Sequence, residues 1–151
     1  MNSNTKAADA LLKRKLLGAS VESFGLFHQF LCIVFRDDTP EDHTLSIDTE
    51  IFSNNLDFNS SNLSNNEQAL ILFSRINLRK IIGIQCSDTG TLTINFDNGR
   101  NLAFRGQPAD KTCTEPWQIG KGSPEEDPHH YLIIANHGGG YTIWDGNNSA
   151  T

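Results

Sequence analysis

The alternation of apolar and polar positions is clearest between Ile81 and Gly106. Three runs there, Ile82-Ile84-Cys86, Leu92-Ile94-Phe96 and Leu102-Phe104, are separated by Asp88-Thr89-Gly90 and Asp97-Asn98-Gly99. A period of two is what a strand with one buried face requires. Asn98-Gly99 and Gly90 supply the positive backbone dihedrals of tight hairpin turns. The segment predicts a three-stranded antiparallel meander.

The same pattern occurs earlier in looser form. Leu17 to Val21 parallels Ile82 to Cys86 at an offset of 65, Leu31 to Asp37 parallels Leu92 to Asn98 at 61, and Leu45 to Ile47 parallels Leu102 to Phe104 at 57. Matched blocks in order predict a second meander with longer connections, and with it an internal duplication. The connection Asp37 to His43 in this copy is strongly acidic.

Two stretches change to helical spacing. Asn4 or Thr5 can cap a helix running to about Leu16, with Ala8, Leu11, Leu12 and Leu16 along one side. Asn65 to Gln68 opens another, with Ala69, Leu70, Leu72, Phe73 and Ile76 as its apolar side, ending near Asn77. Between them Ile51 to Asn66 is rich in Asn and Ser and reads as a loop. Gln107 to His130 is a long polar connection, interrupted at Trp117 to Ile119 by a short strand or packing plug. A closing hairpin follows, Tyr131 to Ala135 and Tyr141 to Trp144 around His137 to Gly140, with Tyr141 and Ile143 sharing a face with Leu132 and Ile134.

The expected fold is mainly β (α+β): two antiparallel meanders and a C-terminal hairpin forming a sandwich or half-barrel, with two short helices and about eight or nine strands. One domain spans 1–151, divided into helix and first meander (1–56), loop and helix (57–80), second meander (81–106), and loop with closing hairpin (107–151). A formal charge of −6 favours a basic protein partner over nucleic acid. Cys32, Cys86 and Cys113 are odd in number and widely spaced, which suits a reducing compartment. With no leader pattern and no apolar stretch long enough to span a bilayer, the expectation is a cytoplasmic protein without a membrane partner, monomeric or weakly dimeric.

Several patterns invite a chemical reading. His137-Gly138-Gly139-Gly140 looks like an esterase oxyanion run, but no GxSxG elbow accompanies it, and a glycine-rich turn explains it. Glu125-Glu126-Asp127-Pro128-His129-His130 has metal-ligand density, yet adjacent histidines in a strand point to opposite faces and no HExxH or paired CxxC is present. His28 and His43 are single histidines, and Cys113 lies in a polar loop, where exposure of a thiol alone does not make a nucleophile. Phe24, Phe27 and Phe30 could stack bases, but a basic groove is lacking. The expectation is no enzyme, no metal and no cofactor.

The second meander and the closing hairpin together resemble small bacterial families of unknown function. The residues that carry the resemblance are Ile81 to Ile84, Leu92-Ile94-Phe96-Asn98-Gly99, Leu102-Phe104-Gly106, Glu115-Pro116-Trp117 and Gly139 to Trp144. Members of such families are often immunity proteins of polymorphic-toxin or contact-dependent growth inhibition systems. The resemblance implies a protein that binds and blocks one cognate toxin domain, frequently a nuclease. Acidic loops suit that task, which makes Asp37, Asp38, Glu41, Asp42, Glu125, Glu126 and Asp127 the candidate partner-binding residues. The alternative is a small-ligand-binding barrel or sandwich with His28, Phe30, Trp117 and Trp144 lining a pocket.

Overall fold

A computed structural model describes residues 1–54, 56–108, 115–122 and 126–146. The order of elements is α1 (Ser3–Leu16), β1 (Ser20–Phe27), β2 (Phe30–Arg36), β3 (His43–Ile47), β4 (Thr49–Phe52), α2 (Asn65–Arg75), β5 (Ile81–Cys86), β6 (Leu92–Phe96), β7 (Asn101–Pro108), β8 (Trp117–Lys121), β9 (Tyr131–Ala135) and β10 (Tyr141–Asp145). Two antiparallel sheets form an α+β sandwich, one ordered β1-β2-β3-β8-β9-β10 and the other β4-β7-β6-β5. Their inner faces and the apolar sides of both helices share one core, from Leu12 and Phe73 through Ile33, Leu45 and Ile119 to Ile94 and Phe104. Period-two burial along β2, β6, β8 and β9 is the alternation read from the sequence.

Both meanders form, and each gives its following strand to the other sheet. After β3 the chain crosses at Asp48, and β4 pairs with β7 of the second meander. After β7 it crosses back, and β8 pairs with β3 of the first. The duplication is therefore present as a pseudo-twofold arrangement of two α-β-β-β-β units with exchanged fourth strands. The helices are exchanged too, since α1 packs on β5 and α2 on β1.

Local geometry fixes the equivalence of the two units. Val21 pairs with Phe35 and Ile81 with Phe96, and each is followed by a bulge, at Val21/Ser23 in one unit and Ile81/Gly83 in the other. The strand starts also bond each other symmetrically: Val21 N–H donates to Arg79 O and Ile81 N–H to Ala19 O, both within 3.0 Å. The offset at this point is 60, which corrects the sequence alignment of Leu17 to Val21 with Ile82 to Cys86. That alignment matched Gly18 to Gly83, two glycines with different tasks. Gly18 leaves a helix with φ +87°, whereas Gly83 follows a bulge inside a strand.

Other expectations shift in detail. Asn2, not Asn4 or Thr5, caps α1 by accepting from Thr5 N–H at 2.8 Å. α2 starts as expected, with Ser64 and Glu67 completing a capping box. β4 lies where a loop was read from Ile51 onward, because four residues are too few to show a period. In the closing hairpin Tyr141 pairs with Ala135 and Ile143 with Ile133. Tyr141 and Ile143 therefore share a face with Tyr131, Ile133 and Ala135, and Leu132 and Ile134 lie on the other side.

Candidate functional site

β3 and β8 are antiparallel neighbours, so the loop entering β3 (37–42) lies beside the described residues that follow β8 (122 and 126–130). Two acidic segments far apart in sequence are thus brought to one end of the six-stranded sheet. Three buried polar side chains join them from beneath: His43, Lys121 and His130. His43 Nε2 lies 2.8 Å from Asp37 Oδ2, and its Nδ1 lies 2.7 Å from the Tyr131 hydroxyl. A carboxylate only accepts, so Nε2 carries the proton and the Tyr131 hydroxyl donates to Nδ1. Lys121 Nζ stands 3.6 Å from the other Asp37 oxygen, and His130 Nε2 donates to Glu41 at 2.6 Å.

Electrostatics at this end follow from burial and hydrogen bonding. Burial holds His43 below the usual histidine range, against the opposing pull of Asp37. Burial also favours the neutral form of Asp37, but hydrogen bonds from the Thr39 side chain, His43 and the Thr39 backbone outweigh it and hold the carboxyl well below its ordinary value. The Tyr131 hydroxyl is pushed far up by burial. Burial lowers Lys15 of α1, whose ammonium donates to His129 O at 3.1 Å and stands 5.6 Å from the Tyr131 ring centre.

The candidate carboxylates separate by role. Asp37 is engaged inside the fold by His43, Lys121 and Thr39, a task sequence reasoning did not give it. Asp42 pairs with Arg36 at 3.0 Å, and Asp127 accepts from His129 N–H at 2.7 Å in a turn. Glu41 is anchored by His130 yet stays half exposed. Asp38 and Glu126 are exposed, and no partner among the described residues holds them. Glu125 lies outside the described residues, as does Cys113. His43, Lys121, Tyr131 and Lys15 carried no signal in the sequence, since only strand pairing brings them together.

The Asp37-His43-Tyr131 chain has the outline of a proton relay, but His43 and Tyr131 are both fully buried. Neither lines the cleft beside β4 or the depression around Gln85 and Thr93. Burial pushes the Cys86 thiol up to about 11, away from a nucleophile's range. Among the described residues no three His, Cys, Asp or Glu side chains come together as a metal site.

At the opposite end of the sandwich a cleft of about 480 Å³ opens between β4, the first turns of α2 and the β1–β2 hairpin. Ile51, Leu31 and Leu72 line its floor, and the exposed Phe52 and Leu56 its mouth. Asp48 and Glu50 line it as well, with no Lys, Arg or His among the lining residues. None of the four residues expected to form a pocket lines this cleft. Trp117 is core, donating from Nε1 to Gly90 O at 2.8 Å, because its neighbours on β8 face inward at the same period. His28 is in the hairpin turn beside exposed Phe27 and Phe30, and Trp144 is half-buried on β10. Phe24 packs edge-on against Phe73, with ring centres 6.0 Å apart.

No protein-family model matches the chain, and no similar chain is found among curated proteins or solved structures. No helix among the described residues is long and apolar enough to cross a membrane.

Proposed function

We propose that this chain is a non-catalytic immunity-type protein: it acts in the cytoplasm and neutralises one basic toxin domain, of the nuclease class, by seating its acidic end in the toxin's cationic groove. The observation that carries this reading is the convergence of the loop 37–42 and the described residues 126–130 on one rim. Asp38, Glu41 and Glu126 face outward there, over buried His43, Lys121 and His130. A rim whose loops are tied to core side chains loses little freedom on docking, and that lowers the entropic cost of a tight complex. Its charge sign suits a groove built to hold phosphates. The resemblance of the second meander and closing hairpin to immunity families points the same way.

The test is to mix the full chain with the toxin domain encoded by the gene immediately upstream, measuring affinity and residual toxin activity at two salt concentrations. The expected result is binding tighter than about 1 μM, with inhibition, weakening as salt rises. Asp38→Lys with Glu126→Lys should lower affinity by at least about tenfold, mainly through slower association. Binding weaker than that without inhibition, or affinity indifferent to salt and to both reversals, removes the reading.

A further inference from the structure

Polar side chains around the cleft beside β4 divide into those already engaged and those left open. Asp48 has a partner within the protein. Glu50 pairs with Arg105 at 3.6 Å, and the Arg105 guanidinium lies 4.5 Å from the ring centre of Phe52. Glu50 and Phe52 share the side of β4 that turns away from Ile51, so one arginine holds both. Thr49 Oγ1 donates to Gln107 O, and Gln68 Nε2 donates to Leu63 O at 3.2 Å. Both carboxylates at the cleft are thus satisfied, and the Phe52 ring already carries a cation on one face.

Three lining side chains remain open. The carboxamides of Gln29, Asn65 and Asn66 have no hydrogen-bond partner among the described residues. Gln29 is also held there against a backbone preference. Phe27 pairs with Phe30, which leaves His28 and Gln29 as the whole of the β1–β2 turn, with φ of +49° and +72°. Such turns favour Asn and Gly, and a residue with a longer side chain is strained in the left-handed region. Strain of this kind clusters where a side chain serves a ligand. Below the carboxamides the floor is aliphatic, with Leu31, Ile47 and Leu72 buried beside Ile51.

We propose that this cleft is a binding site for a small neutral molecule with an aliphatic body and an amide head. Its volume of about 480 Å³ is in the range of ligand pockets. The body covers the aliphatic floor, and the head exchanges hydrogen bonds with the open carboxamides. Each carboxamide presents a donor and an acceptor on neighbouring atoms. An amide answers both at once. A carboxylate only accepts and an ammonium only donates, so either leaves half of the carboxamide unpaired as water is displaced. A hydroxyl has both functions on one atom and cannot close two parallel bonds. The inference is independent of the immunity reading, because the acidic rim lies at the other end of the sandwich.

The test is a nuclear magnetic resonance titration of the isotope-labelled full chain with hexanamide, and in parallel with hexanoate, hexylamine and hexanol. Hexanamide should give saturable shifts at Leu31, Ile51 and Leu72 and in the side-chain amides of Gln29, Asn65 and Asn66, with a Kd of about 1 mM or tighter. The three chain-matched probes should bind at least about tenfold more weakly. Gln29→Gly removes the carboxamide and the strain together, so Tm should hold or rise while hexanamide affinity falls at least about fivefold. Asn65→Ala with Asn66→Ala, at exposed positions, should weaken binding as much. Failure to saturate at the solubility limit of hexanamide overturns the proposal, as do shifts that map away from the cleft. Equal or tighter binding of hexylamine, hexanoate or hexanol overturns it too, and so does unchanged affinity in both variants. A capped Leu-Val-Leu peptide that binds at least about tenfold tighter than hexanamide, and slows hydrogen exchange along β4, would make the occupant a protein strand and replace it.

Discussion

Gly18 and Leu78 lie sixty residues apart and hold the same backbone conformation at the same place in the two halves. Each follows the end of a helix, with φ of +87° at Gly18 and +64° at Leu78, and each bonds across the pseudo-twofold. Gly18 N–H donates to Ile81 O, and Leu78 N–H donates to Val21 O. Only glycine occupies this region without steric cost. The two units meet the same demand with different residues, one suited to it and one strained.

Leu78→Gly is therefore expected to stabilise the protein. Its side chain is 71% exposed, so little packing is lost. Relief of the left-handed strain exceeds the added flexibility of the unfolded chain by up to about 1 kcal/mol. Gly18→Leu runs the other way and costs about 1 kcal/mol, although open space surrounds the position. Urea titration of both variants measures the difference. A destabilised Leu78→Gly would mean that Leu78 contributes packing its exposure does not suggest.

The helix ends explain why the duplication was only partly legible. In the meanders the matched residues, Leu31/Leu92, Ile33/Ile94 and Phe35/Phe96, face one core and keep one type. The helices align at offset 60, with Leu12/Leu72 and Leu16/Ile76 inward, but Asp9 stands opposite Ala69 and Gly18 opposite Leu78. Asp9 accepts from Cys86 N–H at 3.0 Å, an environment α2 does not reproduce. Which sheet receives β4 and β8 left no trace either, since a strand's pattern records which face is buried and not which neighbour it has. The polar cluster around His43 was invisible for the same reason. The acidic loops were legible as composition, and their convergence was not.

Close backbone approach sets a second expectation. A Cβ at Gly106 would collide with the Thr89 carbonyl and the Gly90 backbone, neither of which can move away like a side-chain tip. The Gly90 carbonyl in turn receives the Trp117 indole N–H. Gly106→Ala is expected to cost about 1–3 kcal/mol through overpacking. Trp117→Phe, which keeps the ring but leaves the buried carbonyl without that donor, should cost about the same. Thermal and urea unfolding measure both, and a neutral Gly106→Ala would show that the turn yields.

Asp37 and Asp38 are neighbours with opposite expected responses. Asp37→Asn weakens the acceptor for buried His43 and Lys121, and should cost about 1–3 kcal/mol of stability. Asp38→Asn touches nothing in the fold and should leave stability within about 0.5 kcal/mol. If the acidic end binds a toxin as proposed, the order reverses in the binding assay: Asp38→Asn weakens that complex, whereas Asp37→Asn acts chiefly through folding. Equal effects of both on affinity, at equal stability, would place Asp37 in the interface after all.

His43 gives the stability a pH dependence with a definite sign. Its folded-state pKa is depressed because burial disfavours the imidazolium, so the unfolded chain binds the proton more readily. Stability contributed by the neutral ring is complete above the ordinary histidine value of 6.5, and declines as pH falls from there toward the folded-state value. Asp37 adds a second decline further down, because its depressed carboxyl stabilises the fold above its ordinary value of 3.8 and is lost below it. Urea midpoints between pH 8 and pH 3 should therefore fall in two stages. His43→Asn should lower stability at pH 8 and remove the upper stage while leaving the lower. A stability that instead rises as pH falls from 7 to 5 would mean that His43 stays protonated in the folded protein, with Asp37 rather than burial governing its charge.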